Sequence, residues 1–599
     1  MSVHVVATAG HVDHGKSTLV RALTGMEPDR WEEERRRGLT IDLGYAWTAL
    51  PSGRDVAFVD VPGHERFLGN MLAGLGPAAP VVCFVVAVDE GWQAQSGDHR
   101  DAVAALGIEH GVVVLTRADR APGRTGEVLA QVRAELAGTG LHDAPAVTVS
   151  ALEGTGLDEL RAVLDDVLAR APAPAQGRLR LWVDRSFTIT GSGTVVTGTL
   201  AAGSLRQGDR LHLLGHGGAV PVVVRGMHSR NVAHTALEPC TRVALNLRGV
   251  SASDVHRGDA LVTPDTWPLT DVLDVRRATG PALTDTAEHL VVHAGTAAVP
   301  ARLSPFDDDH ARLVLDRPLP LVLGDRLVLR DPGSRSVLGG AQVLDADPPA
   351  LRRRGDRARR AVRLAGTDLR GDVGAEVARR GAVQAQHLHR LGLLPTADAA
   401  PPGDVRALGG WWVHAPVLES WTQRLRTAVE ELHARDPLAA GLSRGAARDL
   451  LALPDAALVD PVVRGAGLEQ DGGHIRSPHH RGGLGAHETA VLELERRLGA
   501  EPFRSPEADE LTALRLGARE LAAAERTGRL LRLGDGVVLL PTAPALAMRE
   551  LARLPQPFTT SQARQALGTS RRVAIPLLEH LDARGWTRRL DAGHRTVAR

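Results

Sequence analysis

The sequence predicts a multidomain chain with an amino-terminal α/β domain, two small β-barrels and a mainly helical remainder. In residues 1–170, near-continuous apolar stretches alternate with helical patterns, as in a parallel sheet that is covered on both faces. Between residues 178 and 346 the apolar period changes to two, with turn signals about every 8–12 residues. Residues 347–599 are rich in Ala, Leu and Arg, and their helical period is interrupted by short hairpins.

The composition excludes several classes of protein. Of the 599 residues, 43% are hydrophobic and 24% are charged, and no apolar stretch reaches the roughly 18 residues of a membrane span. The two cysteines, Cys83 and Cys240, are too few for a disulfide framework or a cysteine-based zinc cluster. The amino terminus has neither the basic region nor the cleavage site of a signal peptide. We therefore expect a cytoplasmic protein that does not associate with membranes.

Positive charge is unevenly distributed along the chain. Basic and acidic residues number 71 each, yet the segment from Leu551 to Arg599 holds nine arginines against three acidic residues. A local excess of this kind favours a nucleic-acid partner for the carboxyl-terminal end. Lys16 is the only lysine in the chain. Its retention suggests a role for a compact ammonium group that a planar guanidinium does not fill.

A phosphate-binding loop follows the first apolar strand. Residues 3–9 precede G-H-V-D-H-G-K-S, which runs from Gly10 to Ser17 and leads into a helical pattern. A G-x-x-x-x-G-K-S segment between a strand and a helix is the P-loop pattern, in which backbone N–H groups face the phosphates. Lys16 is expected to reach the β- and γ-phosphates, and Ser17 to hold Mg²⁺.

Two further segments can contact the metal and the attacking water. The hydroxyl of Thr40, in the segment R-G-L-T-I-D, can complete the Mg²⁺ shell and sense the γ-phosphate. Asp60 ends a strand and can bind the metal through water, and in D-V-P-G-H-E the N–H of Gly63 can meet the γ-phosphate. His64 can orient the attacking water, so we predict it as the catalytic residue. The predicted metal residues are Ser17, Thr40 and Asp60.

The predicted base-binding residues follow two later strands. Asp119, in Thr116-Arg117-Ala118-Asp119, offers a carboxylate to the N1–H and 2-amino groups of guanine, which adenine lacks. A loop that starts at Ser150 is expected to lie behind the base. The whole predicted nucleotide site consists of Gly10, His11, Val12, Asp13, His14, Gly15, Lys16, Ser17, Thr18, Asp60, Gly63, Thr116, Arg117, Asp119, Ser150, Ala151 and Leu152.

The residues and the order of these motifs over 1–170 resemble those of elongation factor Tu and related translational GTPases. The resemblance implies a P-loop GTPase that hydrolyses GTP to GDP and phosphate with Mg²⁺ and is stimulated by the ribosome. It also implies a hydrophobic gate beside His64, formed by Val12 and Leu39. One departure is visible, because the family usually has Asn-Lys-x-Asp where this chain has Thr116-Arg117-Ala118-Asp119. A threonine at this position is known among selenocysteine-specific factors.

The rest of the chain divides into two barrels and a helical arm. We predict barrels over residues 178–264 and 265–346, and the string G-S-G-T-V-V-T-G resembles the second domain of the same GTPases. In residues 347–599, helices followed by hairpins predict about four tandem winged-helix domains, the last over about 546–599. The basic run over 352–360 is open to two interpretations, a solvated linker or a tRNA contact.

A GTPase with two barrels and tandem winged helices resembles the bacterial selenocysteine-specific elongation factors. The resemblance implies a monomer that delivers selenocysteyl-tRNA to the ribosome at UGA codons and is recruited by an mRNA hairpin (SECIS) through its last winged helices. It also implies a pocket for selenocysteine in the first barrel. The predicted pocket residues are Asp184, Arg185 and Arg242. The predicted RNA contacts are Arg571 and Arg572, in the first turn of a recognition helix, and Arg588 and Arg589, in the wing.

Two other functions remain open from the sequence. A GTP-sensing regulator could use its winged helices to bind duplex DNA, although it has no need of two barrels of the translational type. The GTPase subunit of a sulfate-activating enzyme has the same core but would end well short of residue 599.

Overall fold

The computed structural model describes residues 3–28, 40–76, 79–171, 177–191, 193–215, 218–369, 371–436, 438–479 and 484–598. They fall into two compact units. The first unit comprises residues 1–376 and 384–400, and the second comprises residues 377–383 and 401–599. The predicted gate residue Leu39 and residues 172–176, which precede the first barrel in the sequence, lie outside the described ranges.

The amino-terminal domain is a six-stranded sheet with helices on both faces. Its strand order is β2-β3-β1-β4-β5-β6, and every pairing is parallel except that of β2 with β3. The strands are β1 (Val3–Ala9), β2 (Gly44–Ala49), β3 (Asp55–Asp60), β4 (Val81–Ala87), β5 (His110–Thr116) and β6 (Ala146–Thr148). The helices are α1 (Lys16–Thr24), α2 (Leu68–Gly74), α3 (Ala94–Leu106), α4 (Thr125–Leu136) and α5 (Leu157–Arg170). All seven residues of β4 are buried, as its apolar run predicts.

The first barrel closes through the pairing of β10 with β11. Its strand order is β10-β15-β7-β8-β14-β11, and β12 extends from β11. The strands are β7 (Arg180–Ile189), β8 (Gly193–Ala202), β9 (Leu205–Arg206), β10 (Arg210–Gly215), β11 (Gly218–Ser229), β12 (Val232–His234), β13 (Ala236–Leu237), β14 (Thr241–Arg248) and β15 (Ala260–Val262). Inward residues alternate with outward ones, and β14 alternates buried and half-buried positions over seven residues.

The second barrel is closed in the order β16-β19-β18-β17-β20-β21. Its strands are β16 (Thr270–Thr279), β17 (His289–Ala294), β18 (Ala297–Pro305), β19 (His310–Leu319), β20 (Arg326–Arg330) and β21 (Val337–Asp345). Helix α3 packs directly on this barrel, since a Cβ atom at Gly340 would lie 2.6 Å from the Cα of Ala105. Both predicted barrels are therefore present, and the second contacts the α/β domain.

The basic run at residues 352–360 leads into a docked helix. Helix α6 (Asp356–Ala365) packs on the second barrel. The guanidinium of Arg360 is buried and donates to Asp274, at 2.6 Å, and to Asp345, at 2.5 Å. Arg357 donates to the carbonyl of Pro305. A solvated linker is therefore wrong for Arg360, whereas Arg357 and Arg359 of the same helix are exposed.

The second unit contains the winged-helix arm. Helix α7 (Val373–Arg380) has residues in both units, and α8 (Ala385–Arg390) belongs to the first unit. The helices of the second unit are α9 (Ala415–Arg435), α10 (Arg444–Leu451), α11 (Val459–Gly465), α12 (Glu488–Ala500), α13 (Ala508–Ala513), α14 (Ala518–Arg526), α15 (Ala543–Leu551), α16 (Thr560–Ala566) and α17 (Arg571–Ala583).

Within the described residues of this region, four small sheets accompany the helices. They are β22 (Ala382–Gln384) with β23 (Val405–Leu408) and β24 (Trp411–His414), β25 (Leu442–Ser443) with β26 (Glu469–Asp471) and β27 (His474–Arg476), β28 (Leu531–Arg532) with β29 (Val538–Leu539), and β30 (Phe558–Thr559) with β31 (Thr587–Arg589) and β32 (His594–Val597). The turn at Gly409-Gly410, between β23 and β24, has positive φ at both residues, which glycine adopts without strain. Within the described ranges, no helix is both long and apolar enough to cross a membrane.

Candidate functional site

The P-loop joins β1 to α1 and is built around two glycines. Gly10 has φ +131°, and a Cβ atom there would lie 2.1 Å from the carbonyl oxygen of Val85. Gly15 has φ +82° and stands directly before α1. Lys16 is buried, and its Nζ donates to the carbonyl of Gly10 at 3.0 Å and to that of His11 at 2.7 Å. The loop thus holds its single ammonium group at the start of the helix, where the helix dipole also favours an anion.

The three predicted metal residues converge although they lie up to 43 positions apart. The hydroxyl of Ser17 donates to Asp60 at 2.6 Å and lies 3.0 Å from the hydroxyl of Thr40. Thr8 donates to the other carboxylate oxygen of Asp60 at 2.8 Å. These donors are all oxygen atoms, two neutral and one acidic, a set that suits Mg²⁺ bound together with phosphate oxygens.

His64 and Gly63 occupy different positions relative to this site. A Cβ atom at Gly63 would lie 2.4 Å from the Nζ of Lys16, so only glycine fits against the P-loop. The ring of His64 instead caps the short helical turn that follows it, because its Nδ1 accepts from the N–H of Arg66 at 3.2 Å. The neutral ring therefore carries its proton on Nε2. His64 is not among the residues that line the nucleotide cavity described next.

A cavity of about 660 Å³ opens between the P-loop and the base-binding segments. Among the described residues it is lined by Val12, Asp13, Gly15, Lys16, Ser17, Thr18, Arg21, Glu27, Thr40, Gly63, Thr116, Arg117, Asp119, Arg120, Ala151 and Leu152. Most of the predicted nucleotide residues are in this set. Gly10, His11, His14, Asp60 and Ser150 lie behind it. Sequence reasoning missed Arg21, Glu27 and Arg120, which belong to none of the motifs.

The substituted guanine motif keeps its links to the P-loop. Thr116 donates to the carbonyl of His14 at 2.7 Å, and Arg117 donates to the carbonyl of Asp13. Arg117 also pairs with Glu90 at 2.6 Å. Asp119 remains exposed at the cavity wall. Threonine and arginine therefore brace the loop, while the carboxylate stays available to a base.

A buried histidine that the sequence left without a role also contacts the P-loop. His99, on α3, accepts the N–H of Gly10 on its Nδ1 at 3.0 Å. Burial, together with the nearby charge of Lys16, lowers the pKa of His99 well below its ordinary value. The ring is therefore neutral and remains an acceptor. The sequence signal is weak, because the buried face of this helix carries His99 and Ser96 among alanine and valine residues.

The three predicted pocket residues of the first barrel lie close to β2 of the α/β domain. Arg242 forms a bidentate pair with Asp184, and its guanidinium carbon lies 3.9 Å from the ring centroid of Tyr45. Thr197 donates to Asp184 at 2.6 Å. Burial opposes the charge of Arg242, but the carboxylate of Asp184 outweighs it and raises the guanidinium pKa. Arg242 is thus a fixed cation under an aromatic ring.

Arg185 takes a different partner from Arg242. Its Nε donates to Asp42 at 3.0 Å, and a second nitrogen donates to the carbonyl of Leu43 at 2.6 Å. Both arginines border a cavity of about 160 Å³ next to Tyr45. The structure therefore brings the predicted residues together, with Asp184 fixing Arg242 and with Arg185 bound to the α/β domain.

The four predicted RNA contacts of the arm are not equivalent. Arg571 and Arg588 are exposed. Arg572 pairs with Glu507 at 3.1 Å and donates to the carbonyl of Pro506 at 3.1 Å. Arg589 donates to backbone carbonyls of its own wing. Arg589 is exposed like Arg571 and Arg588, so Arg572 is the least accessible of the four.

Comparisons with known families agree with this architecture. Residues 1–170 match the elongation factor Tu GTP-binding domain. Residues 270–350 match the beta-barrel domain of selenocysteine-specific elongation factor, and residues 549–596 match the winged helix of elongation factor SelB.

Similar proteins extend the match to the whole chain. The selenocysteine-specific elongation factor of Escherichia coli K12 is 34% identical, with 98% of each chain covered. That of Desulfomicrobium baculatum is 30% identical over the same shares. A crystal structure of a bacterial selenocysteine-specific elongation factor, EF-Sec, aligns over 100% of both chains with a TM-score of 0.77 and 26% identity. The chain belongs to the family of selenocysteine-specific elongation factors.

Proposed function

We propose that this protein carries selenocysteyl-tRNA to the ribosome at UGA codons in a GTP-dependent manner, in the cytoplasm and as a monomer. An mRNA hairpin (SECIS) recruits it through the last winged helices. The whole-length similarity to selenocysteine-specific factors supports the proposal. The observation that carries it is the half-buried guanidinium of Arg242, held between Asp184 and Tyr45 beside a small cavity.

This guanidinium offers a means of selecting the aminoacyl group. A selenol is more acidic than a thiol, whose reference pKa is about 8.5, so selenocysteine is largely an anion at neutral pH. The hydroxyl of serine, the precursor on the same tRNA, is neutral. A fixed cation in a cavity of about 160 Å³ attracts the first group and gains little from the second.

GTP hydrolysis is assigned to the residues around the P-loop. Lys16 and the loop N–H groups bind the phosphates, and Ser17, Thr40 and Asp60 hold the metal. When bound, Mg²⁺ neutralises charge that develops on the phosphate oxygens. His64 leaves its capping position and orients water through Nε2. Hydrolysis by the free protein is expected to be slow, because the ring rests outside the cavity and the ribosome must reposition it.

The direct test is equilibrium binding of charged tRNA to the full chain with a non-hydrolysable GTP analogue. Selenocysteyl-tRNA should bind at least roughly tenfold more tightly than seryl-tRNA, as expected for a hydrogen bond to a charged group. Equal affinities for the two would overturn selection at Arg242. Duplex DNA binding more tightly than any hairpin would favour the regulator, and binding of no nucleic acid would favour a sulfate-activating subunit.

Asp119→Asn should change which base is bound. The carboxylate accepts two guanine donors, and an amide loses one acceptor but gains a donor that suits the 2-carbonyl of xanthine. We expect GDP affinity to fall roughly 10- to 100-fold while XDP affinity rises. Displacement of a fluorescent nucleotide measures both. Glu27→Gln, which changes a different carboxylate of the same cavity, is the control and should not raise XDP affinity. Wild-type protein that binds ATP as well as GTP would contradict the guanine assignment.

Arg571→Ala should reduce the salt dependence of hairpin binding. Each neutralised phosphate releases counterions, so losing one contact should flatten the log–log slope by roughly one unit. Arg572→Ala should have a smaller effect, because Arg572 already pairs with Glu507. Arg553→Ala, which removes a partner of Glu550, is the control. An unchanged slope for Arg571→Ala would place the hairpin elsewhere.

The arm itself can be tested by truncation. A chain that ends at Ala400 keeps the first unit and should retain GTP and tRNA binding while losing the hairpin. Ending it near Asp345 would instead remove the buried Arg360 from Asp274 and Asp345. Hairpin binding by the shorter chain would contradict the role of the arm.

A further inference from the structure

Arg257 lies where three parts of the first unit meet. It stands in the loop before β15, and its guanidinium donates to the side-chain oxygen of Asn70 at 2.9 Å. The same nitrogen lies 3.5 Å from a carboxylate oxygen of Asp42. Asn70 is on α2, in the segment that follows His64. Asp42 is two residues after Thr40. One side chain of the barrel therefore contacts both segments that flank the metal residues.

The two contacted segments are also bonded to each other. The amide of Asn70 donates to the carbonyl of Ile41 at 2.9 Å. Arg185 holds the other oxygen of Asp42 at 3.0 Å and the carbonyl of Leu43 at 2.6 Å. Residues 41–43 are thus fixed at three consecutive positions. Thr40 directly precedes this segment, and its hydroxyl oxygen lies 3.0 Å from that of Ser17.

The loop that carries Arg257 is itself rigid. The N–H of Gly258 donates to the carbonyl of Val183 at 3.0 Å, and the N–H of Val183 donates to the carbonyl of Asp259 at 2.8 Å. Arg317, from the second barrel, donates to the carbonyl of Gly258 at 3.1 Å. A Cβ atom at Gly258 would lie 2.9 Å from the Cα of Ala297. Arg257 therefore projects from a loop that is fixed by hydrogen bonds to both barrels.

We propose that Arg257 is a positioning residue for the metal–triphosphate site, which keeps Thr40 at the metal by clamping Asp42 and Asn70 to the barrels. The inference rests on the proposed use of GTP and Mg²⁺. Thr40 senses the γ-phosphate, so its position matters for a triphosphate and not for GDP. A clamp that holds Thr40 at the metal favours the arrangement that GTP prefers. It should therefore strengthen GTP binding and leave GDP binding unchanged, because only a ligand with different affinities for the two arrangements is affected by their equilibrium.

Nucleotide selectivity tests the clamp. Arg257→Ala should weaken binding of a non-hydrolysable GTP analogue roughly fivefold to tenfold, in the range of a charge-assisted hydrogen bond discounted for partial exposure. GDP affinity should stay within about twofold. Arg257→Lys should cause an intermediate loss of analogue binding, since one ammonium group does not replace the second guanidinium nitrogen, which donates to the backbone carbonyl of Asn70 at 3.4 Å. Titration of full-length protein with each fluorescent nucleotide gives the ratio of the two dissociation constants.

The chain offers a closely matched control. Arg230, also from the first barrel, pairs with Asp55 of the α/β domain at 2.7 Å, and its side chain is 30% exposed, the same as that of Arg257. Arg230→Ala should leave the nucleotide ratio unchanged. Equal losses for GDP and the analogue in Arg257→Ala, or an effect no larger than that of Arg230→Ala, would overturn the clamp.

A second variant keeps the inference testable if Arg257→Ala folds poorly. Asn70→Ala removes the bonds to both Arg257 and Ile41 and should produce the same selective loss. The double variant should be less than additive, because the two residues act through one contact. Full additivity would contradict a shared clamp. Wild-type protein that fails to bind the analogue at all would instead overturn the proposed function, so the two failures are distinguishable.

Discussion

His64→Ala is expected to leave GTP affinity nearly unchanged and to lower ribosome-stimulated hydrolysis roughly 100- to 10,000-fold, the usual contribution of a positioned proton-handling group. A residue that orients water acts in the transition state and adds little to ground-state binding. The structure fits this separation, since His64 caps its own helical turn and does not line the cavity. Single-turnover hydrolysis with and without ribosomes, together with nucleotide titration, measures the two effects.

A histidine elsewhere in the same domain provides the comparison for this variant. His142 is largely exposed and pairs with Asp143, so His142→Ala should change neither binding nor turnover. If His64→Ala lost GTP affinity and turnover to the same extent, the residue would be structural. Such a result would agree with its capping bond and remove it from the mechanism.

Arg242→Ala is expected to weaken selenocysteyl-tRNA binding roughly 10- to 100-fold, because the selenolate loses a charge-assisted partner. Seryl-tRNA binding should change little, since the serine hydroxyl is neutral. Measuring both affinities in one buffer, with a GTP analogue present, separates the aminoacyl group from the tRNA body. Parallel losses for the two tRNAs would place Arg242 on the nucleic-acid backbone.

Two further variants protect this experiment from a folding artefact. Removing Arg242 leaves the buried carboxylate of Asp184 without its bidentate partner, which destabilises the barrel. Arg242→Lys keeps a positive charge there and should retain part of the preference for selenocysteine. Arg248→Ala removes an exposed arginine from the end of the same strand and should have no effect on either tRNA. Thermal unfolding of each variant reports any loss of the fold.

The parts of this protein that the sequence predicted well are those encoded over short distances. The P-loop motif spans eight consecutive residues and follows an apolar strand, so residues close in the sequence determine its backbone geometry. The hairpin at Gly534-Asp535-Gly536 is likewise local, and Asp535 has φ +58° as such a turn requires. Convergence of Ser17 and Asp60 was predictable because Ser17 follows β1 and Asp60 ends β3, and the carboxyl ends of these adjacent parallel strands meet at one edge of the sheet.

The contacts that sequence reasoning missed join residues far apart in the chain. The partner of Arg360, Asp274, lies 86 residues away, and that of Arg257, Asn70, lies 187 residues away. Periodicity reports which face of an element is apolar, and it carries no information on how one domain sits against another. The same limit applies to Arg185, whose bond to Asp42 depends on how the first barrel docks.

The only lysine of the chain makes the phosphate site chemically unique. An amine-selective acylating reagent has one side-chain target, Lys16, and its nitrogen is buried and held by the carbonyls of Gly10 and His11. Acylation there would remove the charge that we propose contacts the phosphates, so a single covalent event should abolish nucleotide binding. Because a bound triphosphate would shield this amine, the rate of labelling at Lys16, separated from that of the α-amino group by peptide mapping, should report site occupancy without any engineered probe.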